Sequence, residues 1–158
     1  MRKRLIRAEL VGEPSPADAA WLDIEAIAEA EISSEDAAHP IEAALLADRG
    51  GGWRAAGPGR QTIRLNFAPP QHLHRIRLVF VETTTARTQE YLLRWSADGG
   101  RTFQDIVRQQ WNFDPQAAAR ETEEHRVDLP QVTVLELLID PDIAHGLGVA
   151  SLAQLRLA

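Results

Sequence analysis

The chain has 158 residues, 44% of them hydrophobic, which is enough for one domain with a single core and little more. It contains no cysteine, which excludes disulfides, thiolate metal sites and a cysteine nucleophile, and its formal charge of −6 opposes binding to a nucleic-acid backbone or an anionic membrane surface. No run approaches the ~20 apolar residues of a membrane helix, and no sustained apolar stretch follows Met1-Arg2-Lys3-Arg4, so a soluble, cytoplasmic protein is expected.

In chain order, "PADAAWLDIEAIAEAEISSED" (16–36) is rich in alanine and acids, and propensity favours a helix there, although "AEAEIS" within it also alternates. A short helix is better signalled over 38–47, "AHPIEAALLA", with Pro40 near its start. The glycine-rich "DRGGGWRAAGPG" (48–59) reads as a loop. From residue 62 onward, alternation with a period of two dominates. "TIRLNF" places Ile63, Leu65 and Phe67 on one face, and Pro69-Pro70 is read as its end. "LHRIRLVFVE" (73–82) turns Ile76, Leu78 and Phe80 inward, and its second half is apolar on both faces, as in a central strand. Tyr91, Leu93 and Trp95 alternate up to Asp98-Gly99-Gly100, a tight turn after which Ile106 to Trp111 returns antiparallel. "HRVDL", "TVLELLID" and "LAQLRL" are further strands, separated by Pro130, by Asp140-Pro141-Asp142 and by a glycine-containing stretch. Short strands at this spacing indicate an all-β sandwich or barrel. No repeat or linker divides the chain, so residues 1–29 are read as an extension packed on a domain of residues 30–158.

The order of these segments resembles a known family. "ISSEDAAHPIEAALLADRGGGWRA", "QTIRLNF", "YLLRWSADGGRTF" and "SLAQLRL" are similar to the discoidin or coagulation factor 5/8 type C domains, through Ser33, Ser34, Asp48, Trp53, Ile63, Leu65, Phe67, Ser96, Asp98, Gly99 and Phe103. The resemblance implies an all-β jelly-roll β-sandwich of the galactose-binding-like kind, here with short N-terminal helical segments. It also implies that Trp53 caps the barrel. Many such relatives hold a structural calcium through an Asp-Gly loop and a late glutamate. Here the loop is Asp48-Arg49-Gly50-Gly51-Gly52 and the late position is Gln154, so an extra guanidinium and a neutral amide both weaken a calcium site. Asp48 stays the sole metal candidate, and no cofactor is expected.

A hairpin turning at Asp98 to Gly100 brings the far ends of its strands together, so Arg87, Gln89, Trp111 and Asn112 become neighbours. A guanidinium, an amide and an aromatic face are the groups that hold a sugar, by paired hydrogen bonds to hydroxyls and stacking on the ring. These four, with Trp53 and Arg54 in the preceding loop, are the candidate ligand-binding residues. Trp95 is read as core, Trp111 stands between core and platform, and Arg87 can equally pair with Glu82 or Glu90. His72 and His74 share a strand face, as a metal pair would, but no third ligand is evident from spacing. "RETEEH" (120–125) reads as a charged edge, "DPD" (140–142) as a turn, and there is neither a phosphate loop at "GGG" nor a nucleophile elbow, so no enzyme signature emerges. The expected function is non-catalytic recognition of a carbohydrate or similar polar ligand by loops at one end of the sandwich. The alternative is a cytoplasmic protein-interaction or scaffold domain.

Overall fold

The structure is a computed structural model and describes residues 20–158. Among the described residues, two single-turn helices, α1 (Ile24–Ile27) and α2 (Glu42–Leu45), accompany eight strands: β1 (Ala28–Ile32), β2 (Trp53–Pro58), β3 (Gln61–Val81), β4 (Arg87–Ser96), β5 (Gln104–Phe113), β6 (Arg120–Asp140), β7 (Val149–Leu152) and β8 (Gln154–Leu157). No described helix is long and apolar enough to cross a membrane.

Two long strands organise the sandwich. β3 and β6 pair antiparallel along most of their length, Gln61 opposite Ile139 at one end and Val81 opposite Arg120 at the other. Their first-layer halves join β1 and β4, with β5 beyond β4, while the other half of β3 pairs with β8. The register of the ribbon shifts between Asn66 and Arg75. Pro69, Pro70 and Pro130 fall at this passage, where missing amide donors cost least because regular pairing is already interrupted. The prolines therefore bend β3 and β6 instead of ending them. The layers meet where the Tyr91 ring, on β4, lies 5.3 Å from the Phe80 ring on β3, and its hydroxyl lies 3.0 Å from His125 Nε2 on β6.

The alternation read from the sequence is the alternation of the core. Ile63, Leu65, Ile76, Leu78, Phe80, Tyr91, Leu93, Leu137 and Ile139 are buried. Val79 on the opposite face of β3 is buried as well, as expected of a central strand. Trp95 is only partly buried against the core. On the outer face, Glu136 of β6 accepts from Arg64 Nε at 2.8 Å and from Arg94 Nε at 2.7 Å, which ties β3, β6 and β4 together.

The N-terminal third departs from the helical expectation. Asp23 caps only one turn, accepting from the Ala26 amide at 3.4 Å. The alternating 28–32 segment then pairs with β3 as β1, because Ala28, Ala30 and Ile32 meet Phe67, Leu65 and Ile63 in register. The supposed boundary at 29/30 thus falls inside a strand, and Ile24 is part of the core; residues 1–19 of the supposed extension lie outside the described residues. The expected helix over 38–47 is reduced to α2, whose closing carbonyls, Ala44 and Leu46, accept from the buried Arg156 guanidinium at 2.7 and 3.4 Å. The supposed loop 48–59 contains β2, which pairs with β7. Gly52 permits this approach: at φ 69°, a Cβ there would stand 2.7 Å from the Leu152 carbonyl oxygen.

Candidate functional site

β4 and β5 form the predicted hairpin around Asp98, whose carboxylate accepts from Ser96 Oγ at 2.6 Å and from the Thr102 amide at 2.9 Å. These bonds hold the Asp98 carboxyl well below the usual range. At the far end, Arg87 pairs with Phe113, Thr88 with Asn112 and Gln89 with Trp111, so the four residues singled out from the sequence are brought together.

Strand parity then divides them. Arg87 and Gln89 share the inward parity of Tyr91 and Leu93, and both are buried. Arg87 donates from Nε to Glu82 at 2.7 Å and from Nη1 to the Pro141 carbonyl at 2.6 Å, with its guanidinium 4.8 Å from the Phe113 ring centre. Burial pushes the Glu82 carboxyl up, but hydrogen bonds from Arg87 and Thr84 outweigh it and the net shift is downward. Gln89 links onward, accepting from Arg87 Nη1 at 3.4 Å and donating to Glu121 at 3.5 Å. Burial, with Glu123 beside it, pushes the Glu121 carboxyl up to about 8. These two candidates are corrected by the structure: Arg87 and Gln89 brace the loop end from inside and present no surface to a ligand.

The remaining candidates separate similarly. Trp111 is half-buried at the sheet edge, and Asn112 is exposed beside it, accepting from Thr88 Oγ1 at 2.8 Å; with Gln110 and Ala118 they border a shallow hollow of about 380 Å³. Trp53 is buried and donates from Nε1 to the Ser34 carbonyl at 3.0 Å, so its indole packs into the core at the edge of a small cleft. Arg54 is half-buried in β2, between the Asp36 and His39 backbones, and lines a small cleft of about 180 Å³ with Glu82 and Ser151. Asp48 is an exposed turn residue, and among the described residues no metal-competent trio of side chains includes it. One carboxylate beside Arg49 is a poor donor set for an ion that takes about six to eight oxygen ligands.

A larger feature lies at the same end. A cleft of about 550 Å³ opens on the outer face, lined by Arg60 and Thr62 at the start of β3, Glu90 and Leu92 on β4, Arg108 on β5, Leu138 and Asp140 on β6, and Ile143 and His145 in the loop after β6. That loop is pinned over the start of β4 by the Ile143 amide donating to the Thr88 carbonyl at 2.9 Å. Glu90 accepts from Gln110 at 2.8 Å and from Arg108 at 2.5 Å, and these bonds hold its carboxyl below the usual range. Arg60 stands 3.5 Å from Asp140 across the mouth. Leu92, Leu138 and Ile143 supply an apolar floor between two charged pairs. Along β5, Arg108, Gln110 and Asn112 continue on the same outward parity, whereas Trp111, paired with the buried Gln89, has the inward parity and packs in part against the core. Arg60, Glu90, Arg108, Asp140 and His145 escaped the sequence reading. Glu90 and Arg108 had a usable signal in their parity opposite Tyr91, whereas Arg60 and His145 arrive from loops that only the fold brings together.

The model of the F5/8 type C domain matches residues 28–149. The chain belongs to this family. Its fold is that of the family 32 carbohydrate-binding modules. The module of Clostridium perfringens NanJ, solved in complex with galactose, superposes with a TM-score of 0.64 at 14% identity, covering 87% of this chain and 97% of that one. CpGH89CBM32-5 from Clostridium perfringens, in complex with GalNAc-β-1,3-galactose, gives 0.60 at 18% identity over 87% and 99%. The CBM32 of AlyQ, in complex with 4,5-unsaturated mannuronic acid, gives 0.59 at 13% identity over 84% and 95%. No curated protein sequence matches the chain.

Proposed function

We propose that this F5/8 type C domain is a non-catalytic carbohydrate-recognition module whose glycan lies in the outer-face cleft at the end opposite the Asp98 turn. The observation that carries the reading is the cleft itself: planar donors and acceptors of Arg60, Glu90, Arg108 and Asp140 surround a floor of Leu92, Leu138 and Ile143. Guanidinium and carboxylate groups match vicinal hydroxyls, and an apolar floor matches the C–H face of a pyranose ring. Two arginines and two carboxylates balance, which favours a neutral sugar over a uronic acid. That sugars are bound by the fold neighbours from NanJ and CpGH89 supports the ligand class.

The test is a glycan array probed with the purified protein, followed by calorimetry on each hit with Arg108→Ala and Leu92→Asp. Binding of neutral glycans that both substitutions abolish is expected. A blank array sinks the proposal and shifts the reading to a protein-interaction module, which the apolar Leu147, 88% exposed beside the cleft, would then serve.

A further inference from the structure

Away from the cleft, His72, His74 and Asp128 are exposed, and their ligating atoms all lie within 4.8 Å of one another. The topology accounts for this. Leu73, between the histidines, is fully buried, so strand alternation turns both imidazoles outward together. Leu73 pairs with Leu129 on β6, which is buried too, so the preceding Asp128 is turned outward beside them. The imidazole rings stack with centroids 4.1 Å apart and planes at 28°, and His72 Nε2 lies 2.6 Å from the Asp128 carboxylate. The backbone under the pair is held, since the amides of His74 and Arg75 both donate to the Ala158 carbonyl, at 2.7 and 2.8 Å. Pro130, with its fixed φ, follows directly after Leu129.

From this arrangement we propose that His72, His74 and Asp128 form a surface site for a divalent transition-metal ion, zinc being the physiological choice. Two imidazole nitrogens and one carboxylate are the donors that borderline ions prefer, and they exclude calcium, which takes oxygen. Tetrahedral ligation at about 2.0–2.2 Å needs donors roughly 3.3 Å apart, which exposed side chains on a held backbone reach by small torsional adjustments. The ion takes the place of the proton between His72 and Asp128, and a fourth position stays open to water. The sequence lacked the third ligand because Asp128 is 54 residues beyond His74 and joins it only through the β3–β6 register.

The experiment is zinc titration of the purified chain against a chromophoric chelator, with His39→Ala and His145→Ala as controls. One zinc per chain is expected, weakened at least ~10-fold by His74→Ala or His72→Ala and less by Asp128→Asn, with the controls unchanged. Cobalt(II) added to the isotopically labelled wild-type protein gives an answer independent of any variant's folding: paramagnetic broadening should centre on the amides of residues 71–75 and 127–129. Zinc binding that survives the double His72→Ala/His74→Ala substitution, broadening centred elsewhere, or no binding at all would overturn the proposal and leave an ordinary His72–Asp128 ion pair. The site is independent of the glycan cleft, so a blank glycan array leaves it standing.

Discussion

The two faces of β4 near its start use the same kinds of residue for opposite purposes. Inward, Arg87 and Gln89 join Glu82 and Glu121 in a buried network; outward, one residue away, Glu90 joins Arg108 and Gln110 at the edge of an open cleft. Burial makes the difference. The inner arginine has no water to fall back on, so each of its hydrogen bonds is a condition of folding. The outer pair is wetted, contributes little stability, and leaves its polar atoms available to a ligand.

Substitutions at paired positions sharpen that contrast. The largest loss is expected for Arg87→Ala, which takes the buried guanidinium away from the buried Glu82 carboxylate; about 3–5 kcal/mol should disappear in urea unfolding. Glu121→Gln tests the same network through pH. A carboxyl raised to about 8 from an unfolded value of 4.5 contributes stability that is full below pH 4.5 and lost as pH rises through 8. Subtracting the unfolding curves of the glutamine variant from those of the wild type should therefore give a difference that falls across this window by on the order of a few kcal/mol. His125, whose pKa burial depresses, runs in the opposite sense in both proteins and cancels in the subtraction. A flat difference would mean that Glu121 titrates as an ordinary carboxyl.

Gly148→Ala places a Cβ 2.6 Å from Arg87 Cδ, and because that side chain is anchored at both ends, a loss of about 1–3 kcal/mol is expected. On the outer face, Arg108→Ala should change stability by less than ~0.5 kcal/mol while removing glycan binding. A melting temperature that falls as far for Arg108→Ala as for Arg87→Ala would erase the distinction between the two faces.

Much of this end of the molecule was readable from alternation and the hairpin turn. The pairing of 87–89 with 111–113 followed from antiparallel geometry, and the inward parity of Tyr91, Leu93 and Trp95, carried two positions further, already implied that Arg87 and Gln89 face the core. The misreadings have local causes. Pro69-Pro70 and Pro130 look like strand ends because proline lacks a donor, yet here they sit at a bend of a paired ribbon. Glycines hide β2 because their backbone freedom reads as a loop until a close approach such as that of Gly52 to Leu152 demands them. Alanine-rich 16–36 promises a helix by propensity, but the pairing of 28–32 with β3 half-buries its alternate positions against the core and prevails.

By itself, then, the sequence determined the fold class, the inward and outward faces of β3 and β4, and the pairing of 87–89 with 111–113. These depend on neighbours along the chain and on the invariant two-residue period of a strand. Only the tertiary structure decided that the 141–148 loop and Arg60 close a cleft over Leu92 and Leu138, and that Asp128 stands beside His72 and His74. Those juxtapositions depend on register between strands far apart in sequence, which the packing of the core sets and no local pattern encodes.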